Sequence, residues 1–199
     1  MKKLLIISLF IPFISFGQTA NEFAKGGHEK FKLKDYYGAI SDLTKAIEIK
    51  PNRGVYYSIR GDAKYVLKDY YGAISDYTKS IEIDPNDEFV YESRGDAKRE
   101  LKDYYGAISD YTKSIEIDPN DEFVYESRGD AKRELKDYYG AISDYTKAIE
   151  IDPNDDYAYA NRGAMKAILK NLKGACVDWK KAAELGNKDA ADWLAQDCK

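Results

Sequence analysis

The stretch KDYYGAISDYTKSIEIDPNDEFVYESRGDAKREL, from Lys68 to Leu101, recurs without a single change from Lys102 to Leu135. The flanking blocks, Lys34 to Leu67 and Lys136 to Leu169, differ from it at 11 and 10 positions. Pro51, Pro85, Pro119 and Pro153 therefore stand 34 residues apart, each inside the phrase Ile-Glu-Ile-(Lys/Asp)-Pro-Asn. A fixed period of this length marks stacked supersecondary units, and identity at every position points to tandem duplication.

Each unit reads as two helices. Between Asp103 and Asp118, Tyr104, Ala107, Ile108, Tyr111 and Ile115 fall at i, i+3, i+4, i+7 and i+11, which is one apolar stripe on a 3.6-residue period. Asp103 is placed to cap that helix, because a short side-chain oxygen can accept from an unpaired N–H of the first turn. Pro119 cannot continue the backbone ladder, so Asp118-Pro119-Asn120 ends the helix. Asn120 or Asp121 then caps the next, which runs from about Glu122 to Leu135. One such hairpin cannot bury its own apolar stripe; neighbouring hairpins must stack and share a core.

Composition narrows the function. With 44% hydrophobic and 33% charged residues the 199-residue chain is too apolar for a disordered tail. Its 31 Lys and Arg against 35 Asp and Glu give a net charge of −4, which lacks the basic footprint that binding phosphates requires, so no nucleic-acid partner is expected. Ahead of the repeats, Lys2 and Lys3 precede an apolar stretch from Leu4 to Phe16, and Ser15-Phe16-Gly17 puts small residues at the −3 and −1 positions of a cleavage site. Residues 1–17 thus read as a secretory signal peptide. The apolar stretch falls short of the roughly 20 residues that span a bilayer, so no stable membrane insertion is expected after cleavage. The expected location is the bacterial periplasm, with further secretion as the alternative.

The spacing resembles the tetratricopeptide repeat, whose pattern is an aromatic, two residues, Leu-Gly, two residues, Tyr, then Ala, three residues, an aromatic, then Pro. Tyr91, Gly95, Ala107, Tyr111 and Pro119 occupy these positions in one unit, and Tyr125, Gly129, Ala141, Tyr145 and Pro153 in the next. Arg60, Arg94, Arg128 and Arg162 replace the usual Leu, and Lys replaces the usual Tyr, as at Lys98 and Lys132. These departures are consistent enough to define a subtype with Arg-Gly in the first helix. The resemblance implies an all-α, right-handed α-solenoid of about five helix-turn-helix units over 20–53, 54–87, 88–121, 122–155 and a degenerate 156–187, with 188–199 as a capping helix. The first unit has Leu43 for the aromatic, and its Gly26-Gly27 pair makes its leading helix the weakest by propensity. In the cap, Ala191, Trp193 and Leu194 are the expected covering residues, with Trp193 sealing the end.

Cys176 and Cys198, the only cysteines, lie equally far on either side of the turn at Asn187, so antiparallel helices would set them level. In an exported protein that favours a disulfide. A metal site would need more ligands, and Cys-x-x-Cys spacing is missing. The acidic phrases around Asp118 and Asp152 lack the central Gly and closing Glu of a calcium loop and read as turns and caps. His28 is the single histidine, and no Ser or Cys can be tied to it by spacing. The carboxylates recur with the repeat instead of forming one unique pair. Neither an enzymatic activity nor a cofactor is expected.

In tetratricopeptide proteins the leading helices line a concave groove. The resemblance therefore implies a partner-binding surface at Asp62, Phe89, Glu92, Asp96, Arg99, Phe123, Glu126, Asp130, Arg133, Tyr157 and Asn161. Asp62, Asp96 and Asp130 would form one carboxylate row, suited to an extended protein or peptide segment with a basic residue near its middle and apolar anchors. The plain alternative is a solvated face on which Asp96 pairs with Arg99. The Lys and Asn clamp of chaperone-binding relatives is absent, its face carrying Ala24, His28, Ile59, Phe89 and Ser93. Tyr70, Tyr77, Tyr104, Tyr111, Tyr138 and Tyr145 read as packing residues. The expected function is an exported, non-catalytic protein–protein scaffold. The competing readings are a self-assembling envelope repeat with an idle groove and a glycan-binding module using Phe89, Phe123 and Tyr157.

Overall fold

The computed structural model describes residues 19–198; the expected signal peptide lies outside the described residues. Those residues form eleven α-helices: α1 (Ala20–Lys32), α2 (Tyr36–Ile49), α3 (Gly54–Val66), α4 (Tyr70–Ile83), α5 (Glu88–Glu100), α6 (Tyr104–Ile117), α7 (Glu122–Glu134), α8 (Tyr138–Ile151), α9 (Asp156–Ile168), α10 (Leu172–Glu184) and α11 (Lys188–Asp197). Consecutive helices pack as hairpins, and each hairpin stacks on the next to give the right-handed α-solenoid. No helix among the described residues is long and apolar enough to cross a membrane.

The local chemistry explains the helix ends. Asp35, Asp69, Asp103 and Asp137 each accept a backbone N–H at 3.0 Å, from Gly38, Gly72, Gly106 and Gly140. Just before each cap the chain reverses through a left-handed residue: Lys34, Lys68, Lys102, Lys136 and Lys170 have φ between 62° and 64°. In the third hairpin Lys102 N donates to Arg99 O at 2.8 Å and Asp103 N to Lys98 O at 2.9 Å, the paired bonds of a Schellman motif. Asp121, not Asn120, caps α7, accepting from Phe123 N at 3.0 Å.

Every core cluster joins the second helix of one hairpin to the leading helix of the next, or at the C-terminal end to α11. Ala107 and Tyr111 bury Val124 and Ala131, as Ala73 and Tyr77 bury Val90 and Ala97. The paired helices approach closely because Gly95 faces the Tyr111 ring, where a Cβ would lie 2.7 Å from a ring carbon. Tyr77, Tyr111 and Tyr145 are fully buried, while Tyr70, Tyr104 and Tyr138 are only half-buried. At the C-terminal end Trp193 packs on Trp179 with ring centroids 5.6 Å apart, and Cys176 and Cys198 form a disulfide. Ala190, not the expected Ala191, is the alanine of α11 that enters the core, one position round the helix.

The Arg and Lys that depart from the family pattern share one partner. Arg94 Nε and Nη2 grip both oxygens of Asp110 at 2.9 and 2.7 Å, Nη1 donates to Thr78 at 3.1 Å, and the guanidinium lies over Tyr91. Lys98 adds a second cation to Asp110 at 2.7 Å. The same arrangement joins Arg60 and Lys64 to Asp76, Arg128 and Lys132 to Asp144, and Arg162 and Lys166 to Asp178. Because each Thr belongs to the preceding hairpin, every Arg also bridges two units. In the first unit Gly26 replaces Arg, and Lys30 alone holds Asp42, at 2.6 Å.

Candidate binding groove

The leading helices α3, α5, α7 and α9 bring the expected site residues onto one face. Phe89 and Phe123 are each 62% exposed, one unit apart. Beside them runs a polar ladder that begins with the buried tyrosines of the second helices. Tyr77, Tyr111 and Tyr145 donate their hydroxyl hydrogens to Asp62, Asp96 and Asp130 at 2.8, 2.7 and 2.8 Å. The carboxylate row is thus tied to the core from behind, and burial with the adjacent Asp pushes each of these tyrosine hydroxyls far up.

Arginines continue the ladder sideways. Arg99 reaches Asp96 at 3.1 Å and Asp130 of the next unit at 3.9 Å. Arg133 pairs with Asp130 at 3.1 Å and donates to Asn161 at 2.9 Å. Tyr157 donates to the other oxygen of Asp130 at 2.7 Å. Asp130, Arg133, Tyr157 and Asn161 are therefore one network, and the ladder ends in the fifth unit, where Ala164 and Ala167 take the Asp and Arg positions. Asp96 and Arg99 do pair with each other, as the plain alternative expected.

The groove is less acidic than its composition suggests. Glu92 is pushed up to about 7 by burial and then by the nearby charges of Asp121 and Asp96. Glu126 is raised further, by burial first and then by a hydrogen bond with Asp155. One oxygen of Asp155 accepts from Ala158 N at 2.9 Å, and the other is buried without a donor among the described groups. Two carboxyls this close favour the neutral form of one of them, and it is Glu126 whose carboxyl is held above the ordinary range.

Sequence reasoning assigned Tyr77, Tyr111 and Tyr145 to packing alone and missed their hydroxyls. The signal was present in the constant 15-residue offset from each groove Asp to its Tyr. Tyr65, the counterpart of Arg99 one unit earlier, lines a cavity with Asp62 and Asp96. The exposed tyrosines Tyr37, Tyr71, Tyr105 and Tyr139 stand one per unit outside this face.

Tetratricopeptide-repeat profiles match residues 26–53, 56–87 and 90–121, and a TPR-repeat profile matches 129–167. The chain belongs to the tetratricopeptide-repeat family. Among solved structures this tetratricopeptide protein is similar to MamA, at 24% identity and a TM-score of 0.79 over 83% of this chain and 96% of that one. A MamA fragment from Desulfovibrio magneticus RS-1 aligns at 21% identity and a TM-score of 0.80, covering 85% and 96%. YrrB, described as a TPR protein with an unusual peptide-binding site, aligns at 18% identity and a TM-score of 0.80, covering 89% and 92%. At these identities the likeness is one of fold. Comparison with curated protein sequences yields no match. The tetratricopeptide fold typically serves as a scaffold for protein–protein contact.

Proposed function

We propose that this chain is an exported, non-catalytic scaffold whose groove holds an extended segment of a partner protein. The observation that carries the proposal is the pair of exposed phenylalanines, Phe89 and Phe123, set one unit apart beside a polar ladder fixed from behind. An extended strand rises roughly 3.3 Å per residue, so a partner can meet both rings and the intervening carboxylates with separate side chains. Several weak contacts in series then add up to a specific one. Aromatic anchors beside oriented charge are typical of residues that dominate interface energies.

The ends of the solenoid disfavour open-ended stacking. Where later units present Val90 and Ala97 or Val124 and Ala131 to the preceding hairpin, α1 has Glu22 and Glu29. At the other end α11 is stapled over α10 by the disulfide. The proposed compartment is the periplasm, which suits a disulfide.

The test is crosslinking capture from an envelope extract with residues 18–199, beside the variant Phe89→Ala/Phe123→Ala. These exposed rings can be removed without disturbing the fold, whereas Asp96 and Asp130 hold core tyrosines. A partner crosslinked by the parent chain and lost with the variant supports the groove. The same partner captured equally by both sinks it.

A further inference from the structure

The joint between the second and third units carries a cavity whose lining positions are filled differently at the next joint. Asp62, Tyr65, Val66, Tyr77, Ser93 and Asp96 line a cavity of about 110 Å³. Moving each residue forward by one unit gives Asp96, Arg99, Glu100, Tyr111, Ser127 and Asp130. Four of the six are the same residue type; Tyr65 and Val66 replace Arg and Glu. At the later joint the guanidinium of Arg99 stands between the two carboxylates, 3.1 Å from Asp96 and 3.9 Å from Asp130. At the earlier joint Asp62 and Asp96, the latter already paired with Arg99, line a cavity whose lining among the described residues includes no Lys or Arg. The volume is several times the roughly 10–15 Å³ that one water needs.

We propose that this cavity receives the guanidinium of an arginine carried by an extended partner segment, placed between Asp62 and Asp96 where Arg99 sits one unit later. The proposal rests on the groove reading above and specifies its ligand. Among the described residues no Lys or Arg forms an ion pair with Asp62, and burial holds its carboxyl above the ordinary range despite the Tyr77 hydrogen bond. A bound cation would relieve that. Tyr65 offers an aromatic face; its ring packs edge-on against Tyr70 at 5.4 Å, and Tyr70 donates to Glu100 at 3.1 Å. A planar guanidinium can stack on such a ring and still donate to carboxylates on both sides, which an ammonium does less well. Val66, exposed at the mouth, replaces a like-charged Glu with an apolar surface for the arginine stem.

The test is an amide-resolved NMR titration of residues 18–199 with N-acetyl-Ala-Arg-Ala-amide, and with its citrulline analogue as the neutral isostere. Saturable shifts at Asp62, Tyr65, Ser93 and Asp96 are expected, with citrulline binding weaker by at least about tenfold, as loss of a charge-assisted hydrogen bond implies. Tyr65→Arg/Val66→Glu copies the next joint, so it should fold and lose binding. Arg99→Tyr/Glu100→Val should add a second set of shifts around Asp96 and Asp130. Equal affinity for citrulline, binding undiminished in Tyr65→Arg/Val66→Glu, or no saturable shift overturns the proposal. If the tripeptide fails while partner capture still depends on Phe89 and Phe123, the pocket falls and the groove stands. If the tripeptide binds as expected but no capture depends on those rings, the pocket stands and the scaffold reading falls.

Discussion

Asp110 is 3% exposed, and such a carboxylate is tolerable only because Arg94 and Lys98 meet both of its oxygens. Removing Arg94 leaves Asp110 with Lys98 alone and strips its Oδ1 and Thr78 of a charged donor, and breaking such a buried cluster costs more than it contributes when intact. Arg94→Leu alone should therefore lower stability by about 3 kcal/mol. Restoring the usual family residues together, Arg94→Leu/Lys98→Tyr with Asp110→Ala, should recover more than half of that; urea melts followed by circular dichroism would decide. The sequence marked these Arg and Lys as consistent departures, but not the Asp that explains them, because the partner lies across the hairpin. Glu126 provides the pH counterpart. Its folded pKa is raised, so between the ordinary value of 4.5 and the folded one the native state holds the extra proton, and stability falls as pH rises through that window. Glu92 adds the same sign between 4.5 and about 7. The chain should thus melt lower at pH 8 than at pH 5 on this account. Glu126→Gln, which keeps a donor for Asp155, should flatten the slope and stabilise at pH 8 by no more than about 1 kcal/mol, given a half-exposed carboxyl. An unchanged slope in the variant would remove Glu126 from the explanation.

Helices were the most legible scale. The expected span from Asp103 to Asp118 became Tyr104–Ile117, since both signals, a capping Asp and a Pro, act within the chain's own neighbourhood. The left-handed lysines escaped notice because nothing in their residue type announces positive φ. An L-residue there is strained by roughly 1–2 kcal/mol, and glycine returns part of the gain as unfolded-state entropy. Lys102→Gly should accordingly raise stability by about 0.5–1 kcal/mol, measured by denaturant midpoint. Gly95→Ala should act oppositely, because its Cβ would press on the ring of Tyr111, whose position the Asp96 bond also fixes. A loss of about 1–3 kcal/mol is expected from such overpacking. A neutral Gly95→Ala would mean that the hairpin can open without cost.

For the whole molecule, the 34-residue period carried the architecture, while the groove's wiring depended on contacts between units that no single period displays. The disulfide joins residues 22 apart, and closing a loop of that size is worth about 3 kcal/mol in the chain-entropy account. Its reduction should release α11 first, visible as faster amide exchange in α10 and α11 while α4 to α7 stay protected; uniform acceleration would mean that the solenoid melts as one piece. Deleting Lys68 to Leu101 joins Leu67 to Lys102 in phase and should give a folded solenoid one unit shorter. It also places Tyr65 and Asp62 beside Ser127 and Asp130 in the roles of Ser93 and Asp96. The shortened chain should keep its helicity per residue in far-ultraviolet circular dichroism.

Duplication has one further cost. Helices α4 and α6 have the same sequence, as do α5 and α7, so a collapsing chain offers α5 two docking surfaces of equal energy. Side-chain chemistry cannot tell them apart, which is a local flattening of the funnel. Only the connections impose order: Leu101 to Asp103 and Asp118 to Asp121 are too short to let a helix skip its neighbour. Between chains no such tether exists, and exchange of identical hairpins becomes the natural misfolding route at high concentration.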